Sequence, residues 1–184
     1  MFARLVPAAV LLLVSSATVS AQTAWPKRAV PDSKLRFQSV ATSTLPKKLR
    51  EAFLSFDEFS QGSETLPESL EVCRLDLNRD GSPEYFVAST QSYSGGTARV
   101  IYQQHKNGYR DIAYIQGGFH LVARHNSYYQ IECWGRAGGG QFTRTLERFE
   151  RGRYRISRIE DWTDDDTPRF IRARDPKNYD HDER

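Results

Sequence analysis

The sequence predicts a mostly β fold, α+β at the margin: an antiparallel sheet of about seven or eight short strands with one N-terminal helix. Three observations carry this expectation. Short segments rich in β-branched and aromatic residues recur about every ten residues from position 71 onward. Turn signals separate them, namely Asn107-Gly108, Gly117-Gly118, His125-Asn126-Ser127 and Arg151-Gly152. No long helical pattern intervenes, which argues for hairpins rather than crossover units.

The chain of 184 residues opens with Arg4, an apolar run from Leu5 to Val14, and small residues at Val19, Ser20 and Ala21. That is the layout of a secretory signal peptide cut after Ala21, so residues 1–21 are expected to be removed. The apolar run is too short to span a bilayer as a stable helix. An uncleaved membrane anchor is the competing reading. Export to the periplasm or beyond follows, and both destinations use the same signal. The remaining 163 residues suffice for one domain with its own core. Residues 22–43 are rich in Pro, Ser, Thr and Lys without periodicity and read as a leader or linker. The β-rich domain is expected over 44–162, and residues 163–184, with Asp164-Asp165-Asp166, read as a charged surface tail.

Removing Arg4 from the 26 basic residues leaves 25 against 23 acidic ones. That near-neutral balance gives nucleic-acid binding no global electrostatic support, and no later apolar run invites membrane insertion. Partners are instead sought among envelope or extracellular proteins and glycans.

Within the domain, residues 44–56 read as the helix. Thr44 can cap it, Pro46 suits the first turn, and Leu49, Phe53 and Phe56 recur at helical spacing. Strands are expected over 72–76, 84–90, 98–103, 109–115, 119–123, 128–134, 141–149 and 153–162. Tyr85, Phe86, Val87, Val100, Ile101, Ile112, Ile131, Leu146, Phe149, Ile156 and Ile159 are the expected core. Cys73 and Cys133 are the two cysteines, and in an oxidising compartment an even count predicts one disulfide.

The chemistry-bearing stretch is "LDLNRDGSPEYFV", residues 75–87. Asp76, Asn78 and Asp80 alternate, Gly81 permits a sharp turn, and Glu84 follows. Alternating oxygen donors on a tight loop suit a hard cation such as Ca2+. An EF-hand would need Glu at position twelve, which is Val87, and helical flanks, which read as strands. The pattern D-x-N-x-D-G-x-x-E between strands resembles the calcium loops of FG-GAP and VCBS-type repeats, which build β-propellers. The resemblance implies Asp76, Asn78, Asp80 and Glu84 as side-chain ligands and Ser82 as a backbone ligand. It covers one copy rather than a series, with Glu84 where Asp is usual, and a full propeller would not fit in this length. The competing reading is a polar turn whose Asp and Asn residues bond their own backbone.

Six arginines between Arg144 and Arg158, including Arg144, Arg148, Arg155 and Arg158, interleave with Phe149 and Tyr154. They form a candidate surface for an anionic glycan, phosphate or polynucleotide, with a solvated, charge-paired sheet face as the alternative. His105, His120 and His125 fit no order-defining catalytic motif, and the Gly138-Gly139-Gly140 run lacks the Lys-Ser/Thr of a phosphate loop. The leading expectation is a non-catalytic exported binding or structural domain stabilised by Ca2+. The alternative is a secreted hydrolase, or a hydrolase inhibitor, acting on cell-envelope material.

Overall fold

A computed structural model describes residues 24–56, 65–93, 96–138 and 141–163. The expected signal peptide, the tail from Asp164, and the glycines Gly62, Gly95, Gly139 and Gly140 lie outside the described residues. The fold class is as expected, mostly β with one helix, but the strands form two antiparallel sheets rather than one. The first holds β1 (Gln38–Ala41), β2 (Ser69–Leu75), β3 (Glu84–Tyr93), β4 (Gly96–His105) and β5 (Gly108–Gln116) in sequence order. The second holds β6 (Gly118–His125), β7 (Tyr128–Gly138), β8 (Gln141–Glu150) and β9 (Arg153–Thr163), also in order.

The meander changes sheets at Gly117-Gly118, and the local chemistry explains why glycine stands there. Gly117 has φ of 86°, a left-handed conformation that glycine adopts without strain. A Cβ on Gly118 would lie 2.4 Å from the Trp134 indole, which crosses over it. The other turns are tight. Asn126-Ser127 and Arg151-Gly152 each place two consecutive residues at positive φ, as a two-residue hairpin turn requires. At the third hairpin the turn is Lys106-Asn107, since His105 already pairs with Gly108. The expected Asn107-Gly108 turn is thus shifted by one residue.

Two clusters of buried side chains define three layers. Phe86, Ile101 and Ile115 from the first sheet meet Leu121, Ile131 and Tyr154 from the second. On the opposite face of the first sheet, α1 (Lys47–Leu54) lays Leu49 and Phe53 against Leu70, Val87, Val100 and Tyr102. The helix is shorter than expected, and Pro46 rather than Thr44 stands at its N-cap. The Thr44 hydroxyl instead donates to the Ala41 carbonyl, 2.7 Å away, across a 3-10 turn over Thr42–Thr44.

Part of the expected linker belongs to the fold. Gln38–Ala41 pairs with β2, and the backbone around Lys27–Val30 bonds to Leu121 and Ala123 on β6. These stretches are too short and too polar for periodicity to register; their partners, not their sequence, make them extended.

Two expected core residues are on the surface. Ile156 and Ile159 are 56% and 55% exposed. Register explains their orientation. Ile131, Glu147 and Ile156 lie side by side, as do Cys133, Thr145 and Ile159, so both isoleucines share the inner face with buried Ile131 and Cys133. The second sheet, however, parts from β5 there, and Ile156 lines the cleft between them. Alternation predicted the correct face, but no periodicity reports where the two sheets part. Truncating Phe86, fully buried and stacked on Phe119 at 5.9 Å, should therefore cost about 3–5 kcal/mol, whereas Ile156→Ala should cost less than about 1 kcal/mol. Urea denaturation of the two variants measures both; equal losses would contradict this account of the inner face.

Candidate functional site

The aspartate-rich turn joins β2 to β3 and closes one end of the sandwich. Asp76 accepts from the backbone N–H groups of Asn78 at 3.2 Å, Arg79 at 2.6 Å and Gly81 at 2.9 Å. Arg79 and Gly81 sit at φ of 64° and 87°, which curls the backbone around that carboxylate. Slight burial would raise the Asp76 carboxyl, but the N–H groups of Gly81, Arg79, Asn78 and Asp80 outweigh it and hold it below its ordinary value. Asp80 accepts from Ser82 N–H at 2.7 Å and from the Asn78 amide at 2.8 Å. The Asn78 side-chain oxygen accepts from Asp80 N–H at 2.9 Å.

Glu84 behaves differently from the other three. It is 1% exposed, and its carboxylate accepts from Leu77 N–H at 2.8 Å and from the Gln103 amide at 3.0 Å. Burial raises its pKa, opposed by those two donors. Gln103 also donates to the Tyr128 hydroxyl at 2.7 Å, and the Asn78 amide donates to the same oxygen at 2.9 Å. Tyr129 N–H adds a bond to the Leu77 carbonyl at 3.1 Å. The turn is thereby tied to the start of β7 in the other sheet. Asp76, Asn78, Asp80 and Ser82 lie together on the outer side of the turn, and Glu84 faces inward. Among the described residues no three His, Cys, Asp or Glu side chains group at metal-holding spacing.

The expected disulfide is not formed. Cys73 and Cys133 are buried free thiols on different sheets. Each has its own surroundings within the shared core. The Cys73 sulfur faces the Lys34 carbonyl at 3.9 Å, and that of Cys133 faces a Glu147 carboxylate oxygen at 3.8 Å. Burial raises both thiol pKa values, and the Glu147 charge raises that of Cys133 further.

The arginine strip divides by partner. Arg144 is buried and paired with Glu132, itself fully buried, on the outer face of the second sheet. Trp25 covers this pair, with the Arg144 and Arg158 guanidinium carbons 3.7 and 4.5 Å from its ring and its indole N–H bonded to Glu160 at 2.6 Å. Arg158 pairs with Glu160, and Arg148 donates to Gln130 at 2.9 Å. Arg155 is exposed. Three of the four candidate arginines thus hold the sheet to itself or to the N-terminal segment. His120 lies on this same face with its ring 4.6 Å from that of Trp134.

A feature that sequence reasoning missed lies where the sheets separate. At one end of the β5–β9 seam, Arg153 and Asp111 form a 2.7 Å ion pair. Toward the other end the strands diverge, leaving a cleft of about 320 Å³ lined by Tyr114, Gln116, Cys133, Thr143, Thr145, Glu147 and Ile156, among others. Glu147 faces it, and burial raises its pKa to about 7, opposed by the Cys133 thiol. In the sequence Glu147 is one acid among alternating arginines and reads as part of a solvated, charge-paired face; the register instead puts it beside Ile131 on the inner face.

A carboxyl whose folded pKa is raised stabilises the fold as the neutral acid. Its contribution is complete below the ordinary value near 4.5 and is lost as pH rises through about 7. Relative to Glu147→Gln, the wild type should therefore lose stability between pH 4.5 and 7, by at most about 3 kcal/mol and less to the extent that water enters the cleft. Denaturation curves across that range, with the variant as reference, measure the slope; parallel curves would refute it.

No family model, curated protein or solved structure matches the chain, so the resemblance to FG-GAP and VCBS-type loops stands on residues 75–87 alone.

Proposed function

We propose that this protein is an exported, non-catalytic binding module whose β2–β3 turn is stabilised by Ca2+. The observation that supports it most is the division of labour in that turn. Glu84 bonds inward to Leu77 and Gln103, while Asp76, Asn78 and Asp80 stay together on the solvent side. Hard oxygen donors of this kind are the ligands that calcium prefers. The ion would be held by Asp76, Asn78, Asp80 and the Ser82 carbonyl, with water completing its shell. Its role is to relieve repulsion between carboxylates on one short turn and so to fix the junction between the sheets. Glu84 acts from within, holding Leu77 in the core.

The cleft beside β5 supplies the place to bind a ligand. Its Cys133 thiol is kept protonated by burial, which favours recognition over nucleophilic chemistry. Export rests on the residue pattern of positions 1–21.

Thermal unfolding of the mature chain in EDTA and in millimolar Ca2+ tests the metal. An ion bound only by the native state at one hundred times its dissociation constant adds about 2.7 kcal/mol. Asp80→Ala, at an exposed position, should abolish the calcium-dependent gain while leaving the melt in EDTA nearly unchanged. Identical melting temperatures with and without Ca2+ would remove the metal from the proposal.

A further inference from the structure

We propose that the cleft between β5 and the inner face of β7–β9 binds an alkylammonium group, with Glu147 as its counter-ion. The inference rests on the binding-module reading and specifies its ligand.

Glu147 is a carboxylate facing a space, and the weak donor Cys133 lies 3.8 Å away. Its counterpart on the outer face of the same sheet shows what the fold does with a buried glutamate that needs a permanent cation: Glu132 is paired with Arg144. Glu147 is half-buried and, among the described residues, has no such guanidinium paired to it, and the space in front of it is where a cation from outside would stand.

The remaining walls suit the rest of an alkylammonium ion. Its three N–H donors need acceptors besides the carboxylate, and the Thr145 and Thr143 hydroxyl oxygens lie on the same face. The Thr143 hydroxyl donates to Asp161 at 2.8 Å, which leaves its own lone pairs to accept. The exposed side chain of Ile156 offers apolar surface for a short alkyl stem. A volume of about 320 Å³ holds a stem of this size but not a large cofactor. Arg136 borders the cleft, yet its guanidinium lies 5.5 Å from the Phe142 ring, and Phe142 shares the outer face with Arg144.

The titratable groups packed around Glu147 are Cys133 and Arg136 on β7, Tyr154 and Asp161 on β9, and Tyr114 on β5. Burial keeps Cys133 and Tyr154 neutral at pH 8. With its pKa near 7, Glu147 carries its charge at pH 8 and loses it by pH 5.5.

Titration of the full mature chain with n-butylammonium, followed by amide NMR, tests the proposal. n-Butanol serves as the neutral isostere, and a lysine tripeptide against its norleucine analogue separates a protein side chain from a free amine. At pH 8 the expected result is saturable binding of butylammonium, with shifts at Gln116, Thr145 and Ile156. Affinity should fall about tenfold in Glu147→Gln and by a similar factor at pH 5.5. Ile156→Lys, at an exposed position that tolerates change, should place an internal ammonium in the cleft and block the added amine. Tighter binding of the tripeptide than of butylammonium would name a protein lysine as the source. Equal binding of butanol would overturn the ammonium proposal and leave the cleft a ligand site. Failure of all four probes would overturn both.

Discussion

The junction around Glu84 is the constraint on which the architecture depends. The two sheets are joined covalently through Gly117 and through the N-terminal segment that runs from β6 to β1, and the apolar contacts between them fix proximity but not register. The Glu84 carboxylate holds Leu77 in the core, and through Gln103 and Tyr128 the same network reaches β7. Tyr128 is in turn stacked on Phe149, with ring centroids 3.7 Å apart, and lies edge-on to Tyr154, whose hydroxyl donates to the Tyr129 carbonyl at 2.7 Å. A buried polar network with its members satisfied specifies one arrangement, because every alternative leaves a desolvated group without a partner. The calcium proposed for the outer side of the turn would act on this same element from the solvent.

What was legible in the sequence follows the range of the interactions concerned. Strand positions from β2 to β9 are set by local alternation and turn chemistry, and these were read within a few residues. The division into two sheets depends on whether Gly117-Gly118 makes a hairpin or a change of sheet. That outcome is decided by the Trp134 indole lying over Gly118, a contact no local pattern contains. The even cysteine count predicted a bridge; instead Cys73 and Cys133 enter one core from opposing sheets with separate neighbours. For the turn, the sequence grouped Asp76, Asn78, Asp80 and Glu84 as one set of donors, whereas the fold turns Glu84 inward to Leu77 and Gln103.

The outer face of the second sheet shows why charge patterns are ambiguous. Arg144 and Glu132 stand on neighbouring strands, two residues out of direct register, and their pairing seals a face that Trp25 then covers. Taking both charges out of water is costly unless their hydrogen bonds are met, and the N-terminal segment provides much of that cover. The aromatic residue that completes the face lies more than one hundred residues away in the chain, among residues without periodicity. A strip that reads as a solvated or ligand-binding surface is therefore internal structure, and the N-terminal segment is part of the domain it seemed only to lead into.

Three glutamates, two buried and one half-buried, show three ways of stabilising a carboxyl in a β-sandwich. Glu84 is met by hydrogen-bond donors, Glu132 by a guanidinium, and Glu147 by retaining its proton up to about pH 7. The first two close gaps in the structure, one at the end of the sandwich and one under the N-terminal segment. The third faces a gap that the fold leaves open, where the second sheet parts from β5. A lysine or arginine on β5 facing Glu147 would have closed the cleft and fixed its charge; the residues that β5 turns to the inner face are Ala113 and Ile115 instead. The raised pKa is thus a direct consequence of the parting of the sheets, since an acid lies where they part. Because neutralisation comes from a proton rather than from a neighbouring side chain, the carboxyl can exchange that proton for a cation without breaking any ion pair in the fold.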